Sequence, residues 1–146
     1  MKTTDKPVIV EQTFNKSIQI VWHVITNLND MKKWFFNNIE SFVPEEGFET
    51  QFPVQVKNRK FTHLWKLTQV IPNKKIVYNW KYKEYAGDSF VTFELTENKG
   101  NTKLKLTTEV IEDFAENIPE FTRESCKNGW HYFIKKSLKD YLELNR

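Results

Sequence analysis

Val91-Thr92-Phe93-Glu94-Leu95, the turn Asn98-Lys99-Gly100-Asn101 and the returning Thr102-Lys103-Leu104-Lys105-Leu106 decide how this chain folds. Apolar and polar residues alternate on both sides of the turn, the pattern of a hairpin with one buried face. The hairpin runs into a last helical segment with an apolar stripe of Phe121, Cys126, Trp130, Phe133, Ile134, Leu138, Tyr141 and Leu142. Asn117, with Glu120 three residues on, reads as its capping box. Gly129 lies inside that helix and costs roughly 1 kcal/mol relative to alanine. That cost predicts a backbone lying close against a neighbour, with the Trp130 indole beside it. A sheet gripping one long helix often encloses a pocket, so the chain reads as a holder of something apolar.

Upstream of the hairpin the period of two continues. Ile76, Tyr78, Trp80 and Tyr82 share one face, as do Phe61, His63, Trp65 and Leu67. Phe48, Thr50, Phe52, Val54 and Val56 do the same, with Pro53 marking an edge or a bulge. Ile71-Pro72-Asn73-Lys74 is a turn. Further upstream the period is helical. Ser17 caps a short helix through about Thr26, with Ile18, Val21, Trp22 and Ile25 inward, and Asp30 caps a second through Trp34 to Phe36. Pro7 to Phe14, with Val8-Ile9-Val10, forms the first strand, and Met1 to Lys6 is expected to lie loose. The fold class is therefore α+β: a curved antiparallel sheet wrapped around a long C-terminal helix, two short helices between the first and second strands, one domain over 1–146.

At 146 residues, 39% apolar and 28% charged, the composition is that of a soluble globular domain. Five Trp and twelve Phe make a core of few, bulky side chains. The net charge of +3 comes from scattered lysines, which argues against nucleic acid. One cysteine, Cys126, excludes an internal disulfide and fits a reducing, cytoplasmic setting. No run has the length of a membrane span or the form of a signal peptide.

The order of elements and several local strings resemble the START-like (birch-pollen-allergen-like, SRPBCC) superfamily. Within it the chain is most similar to the family named for the C-terminal domain of the activator of heat shock protein 90 ATPase. The residues that carry the resemblance are Trp22 and Trp34, Pro72 with Ile76 and Trp80, Val91 to Leu95, and Thr102 with Leu104 and Leu106. Gly129-Trp130, Leu138 and Tyr141-Leu142 complete it. The resemblance implies a helix-grip fold and, by analogy, an apolar cavity between sheet and helix. Two departures matter. His63-Leu64-Trp65 is bulkier than usual where the family often has a glycine, which implies a smaller cavity if Trp65 points inward. The chain also has no room for the separate chaperone-binding domain of the eukaryotic activator, which argues against direct chaperone activation.

The function expected is a binding module for a small hydrophobic or amphipathic ligand, at a site framed by His63, Trp65, Trp80, Phe121 and Trp130. His63 and Trp65 share a strand face, Trp80 belongs to the next, and Phe121 and Trp130 lie on the covering helix. Two rivals stand beside it: a co-chaperone-like interaction domain, and a cyclase or hydrolase with His63 as acid or base. His23, His63 and His131 make no metal spacing, so neither metal nor cofactor is expected. Cys126 reads as a buried small hydrophobe, and Glu112, Asp113 and Glu116 as solvated loop charge. The assembly expected is a monomer or homodimer.

Overall fold

Each segment with a period of two becomes a strand in the computed structural model, which describes residues 1–145. They are β1 (Val8–Phe14), β2 (Glu49–Val56), β3 (Arg59–Ile71), β4 (Lys75–Tyr82), β5 (Asp88–Asn98) and β6 (Asn101–Glu112). All pair antiparallel in one sheet of order β1-β6-β5-β4-β3-β2. The deciding hairpin is β5–β6. Lys99 and Gly100 both take positive φ, 54° and 84°, the geometry a tight right-twisting two-residue turn demands. β2 is an edge strand, so Pro53 costs no interior ladder bond.

Two short helices, α1 (Ile18–Thr26) and α2 (Leu28–Trp34), follow β1. The Ser17 hydroxyl caps α1 by accepting from the Ile20 amide at 3.3 Å. The cap of α2 is not Asp30 but Asn27, whose Oδ1 accepts from the Asp30 amide at 3.2 Å. Asp30 sits instead within the first turn, buried, receiving the Tyr141 hydroxyl from the far end of the chain.

The last helix also begins later than the capping-box reading placed it. Asn117 has φ 66°, outside the helical region, and Pro119–Phe121 forms a single 3-10 turn. Thr122 is the true cap, its Oγ1 accepting from the Ser125 amide at 3.1 Å, and Glu120 pairs with Arg59. The helix then runs as α3 (Arg123–Trp130), a π-wound stretch His131–Ser137, and α4 (Leu138–Asn145). Trp130, Ile134, Leu138 and Leu142 are all buried and recur every fourth residue. On an α-helix such a stripe drifts about 40° per step. The wider π winding turns it the other way, which keeps these four side chains on the sheet.

The main core fills the concave side of the sheet with Trp34, Trp65, Tyr78, Phe93, Leu104 and Leu106 against Val21, Ile25, Met31 and Ile134. A second cluster, Phe61, Phe114 and Phe121, sits at one end. The first six residues, expected to be loose, are tied to this end. The Met1 amino group donates to the Phe121 carbonyl at 2.6 Å, and the Met1 carbonyl accepts from the Phe114 amide at 2.9 Å. The Thr3 amide donates to Asp113 Oδ1 at 2.7 Å, and the Arg123 guanidinium reaches the carbonyls of Lys6 and Pro7. No helix among the described residues is long and apolar enough to cross a membrane.

Candidate functional site

The concave face is not filled everywhere. Between β3–β6 and α3 there is a cavity of about 140 Å³. The sheet supplies His63 from β3, Trp80 and Tyr82 from β4, Ser89 and Val91 from β5, and Thr108 from β6. The helix side supplies Ser125, Cys126, Gly129, Trp130 and Phe133, and Phe36, Phe114, Glu120, Phe121 and Met1 close the ends.

Four of the five residues expected to frame a site, His63, Trp80, Phe121 and Trp130, meet at this cavity. The Trp80 and Trp130 rings stand edge to face at 5.5 Å, and Tyr82 lies 5.2 Å from Phe121. Trp65 does not reach it. Its ring is 2% exposed and wedged among Phe52, Tyr78, Trp80 and Phe35, with centroids 4.8 to 5.6 Å apart. Trp65 points inward and packs into the main core, the condition under which the departure from the family pattern implied a smaller cavity.

Gly129 departs from its expectation. A Cβ built on it meets nothing within 4 Å, so no neighbour requires the glycine. It is exposed, at the cavity rim. The close-approach glycine of this chain is Gly87, φ 126°, where a Cβ would fall 2.3 Å from the Phe114 ring.

His63 is buried, and Nδ1 lies 3.1 Å from the Phe61 carbonyl, which fixes the tautomer with the proton on Nδ1. Phe52 stacks on the ring at 4.8 Å, and Tyr82 meets it edge on at the same distance. Burial lowers its pKa to about 4, so the imidazole is neutral near pH 7 with the Nε2 lone pair unprotonated. Trp80 Nε1 donates to the Tyr82 hydroxyl at 3.0 Å, and the Ser89 hydroxyl donates to the Trp80 carbonyl at 2.8 Å. Burial raises the Tyr82 pKa, so its proton stays in place. Burial likewise pushes the Cys126 thiol up to about 11, far from a nucleophile's range. At the cavity end Glu120 forms a two-point ion pair with Arg59, at 2.9 and 2.7 Å, which holds its carboxyl below the usual range. Among the described residues no three His, Cys, Asp or Glu side chains cluster as metal ligands.

The sequence reading missed Tyr82, Ser89, Thr108, Phe114 and Phe133 as members of the wall. For Thr108 a signal existed: it continues the inward period of Thr102, Leu104 and Leu106, where a hydroxyl is conspicuous. For Phe114 none did, since it stands in an acidic loop and is buried by the returning N-terminus.

Residues 15–143 match the model of the family described as activator of Hsp90 ATPase homolog 1-like protein. No curated protein sequence matches this one. Among solved structures, protein MLL2253 of Mesorhizobium loti superposes with a TM-score of 0.76 at 22% identity, over 97% of this chain and 99% of that one. The Aha1 protein of Colwellia psychrerythraea, solved in solution as a dimer, gives 0.72 at 19% identity, over 97% and 99%. DynU16, from the dynemicin biosynthetic locus, gives 0.76 at 19% identity over 97% of this chain, which spans only 49% of DynU16. Identities this low establish a shared fold and nothing more.

Proposed function

We propose a function from the premise that this chain belongs to the activator of Hsp90 ATPase homolog 1-like family: it is a binding module that receives a small hydrophobic or amphipathic ligand between sheet and C-terminal helix. The observation that carries the reading is the ring-walled cavity on which His63, Trp80, Phe121 and Trp130 converge. Aromatic walls with a few polar groups are the usual form of small-molecule sites. At about 140 Å³ the cavity is well below the roughly 300–1,000 Å³ of sites for drug-sized molecules. A dry apolar cavity of about 150 Å³ accepts benzene. The space therefore suits one ring, and a sterol or fatty acid requires the helix to move.

The enzyme reading needs His63 joined to a second polar side chain, and among the described residues its imidazole hydrogen-bonds only to a backbone carbonyl. That favours binding over acid–base chemistry. On the same reading the protein works in the cytoplasm as a monomer or homodimer. The test is titration with monocyclic aromatics, bicyclic aromatics, fatty acids and sterols, following tryptophan fluorescence and melting temperature. A ligand present at about 100 times its Kd stabilises by about 2.7 kcal/mol, a shift easily read. If no member of the panel moves either signal, the cavity reading fails and the interaction-domain reading replaces it.

A further inference from the structure

Thr108 is 4% exposed, its side chain lines the cavity, and its Oγ1 has no hydrogen-bond partner. Leaving a buried hydroxyl unpaired costs about 1–3 kcal/mol. The Cys126 thiol lies beside this hydroxyl and interacts with it, but a thiol is a weak hydrogen-bonding group and no bond of ordinary geometry joins the two. The other buried side-chain polar atom left unpaired among the described residues, Trp65 Nε1, belongs to a residue outside the cavity wall. The orphaned hydroxyl thus lies where a ligand would.

The rest of the wall defines what that ligand can carry. His63 offers only the lone pair of Nε2, and Tyr82 has a proton left after accepting from Trp80. Among the described residues of the wall no side-chain charge is unpaired: Glu120 is held by Arg59, and at the mouth the Met1 ammonium donates to the Phe121 carbonyl. A buried ammonium would find no compensation there, and a carboxylate would find only the Met1 ammonium at the mouth, already bonded to the Phe121 carbonyl. A hydroxyl-sized group, by contrast, meets matching donors and acceptors.

We infer that Thr108 is the polar anchor of the site, and that its ligand class is an uncharged monocyclic molecule bearing a hydroxyl or similar hydrogen-bonding group. The inference rests on the binding reading above and gives it a chemistry. Phenol, toluene and benzoate are probes of one size that differ in the polar group. Titrated into the wild type, phenol should bind about tenfold tighter than toluene, the worth of one hydrogen bond, and benzoate weakest of the three. Thr108→Val, an isosteric change, should abolish the phenol preference while leaving toluene affinity within about twofold. Thr108→Ser should restore the preference. Equal affinity for phenol and toluene, a preference that survives Thr108→Val, or tighter benzoate would overturn the inference and leave the cavity reading intact. A wild type that binds none of the three and nothing in the larger panel overturns the cavity reading itself.

Discussion

Gly87→Ala is the sharpest perturbation the structure offers, because the new methyl would collide with groups that cannot retreat. Its position would be 2.3 Å from Phe114 Cδ2, 2.5 Å from Cγ and 2.8 Å from the Phe114 Cα. The Phe114 ring is buried against Phe121, with centroids 5.2 Å apart, and its backbone is fixed by the Phe114 amide to Met1 and by the Ala115 amide to the Ala86 carbonyl. The φ of 126° adds backbone strain of about 1–3 kcal/mol for any residue with a Cβ. Overpacking adds a similar 1–3 kcal/mol. At about 2–4 °C per kcal/mol for a chain of this size, a loss near 4 kcal/mol lowers Tm by roughly 8–16 °C. Gly129→Ala is the matched control. With open space around its Cβ and a helical backbone, it should be neutral or stabilise by up to about 1 kcal/mol. Calorimetry or denaturant unfolding of the pair reads both effects. A Gly87→Ala protein that melts within a degree or two of wild type would refute the reasoning.

Two further outcomes follow from the site. His63 has its folded pKa, about 4, below the unfolded value near 6.5, so the unfolded chain binds the proton first and stability falls as pH drops. Between pH 6.5 and 4.5 this amounts to about 2–3 kcal/mol, which His63→Phe should remove; an unchanged pH slope in that variant counts against a buried neutral imidazole. Native Cys126 should react with a thiol reagent far more slowly than a free thiol, and Glu120→Gln, which releases the Arg59 clamp over the cavity end, should speed that labelling. Labelling at the free-thiol rate in the wild type, or no acceleration in the variant, would contradict the closed cavity end.

The strands were legible because burial on one face imposes a period of two on the sequence, and His63 to Leu67 or Ile76 to Trp80 keep their large rings and aliphatics on the buried face. The start of α1 at Ser17 was legible too, but the starts of α2 and of the last helix were not, since Asn27, Asp30, Asn117 and Thr122 are all competent caps, and tertiary packing chooses among them. Gly129 misled because a glycine's cost is visible in sequence while the space around it is not. His63, Trp80 and Trp130, expected from strand and helix faces, do line the cavity, and Phe121 lines it from the 3-10 turn ahead of the helix rather than from the helix itself. Trp65 shared the same face as His63, but which rings fill the core and which leave a gap depends on their rotamers and on Phe35 and Phe52, brought in from distant segments. The hold on Met1 involves residues more than 110 positions away, beyond any local pattern.

The sheet order also sets a timetable for folding. β2 to β6 follow one another as neighbours and can pair as soon as each hairpin exists, whereas β1 is bonded only to β6, with Val8 opposite Thr108. At about 5–20 residues per second of synthesis, β1 leaves the ribosome roughly 5–20 s before its partner strand. During that interval Val8, Val10 and Phe14, all buried in the finished sheet, have no native surface to cover them. Pairing over such a span is slow for entropic reasons as well. The first strand made is thus the last to close, and Val8 to Phe14 is the segment on which nascent-chain aggregation or chaperone capture would act.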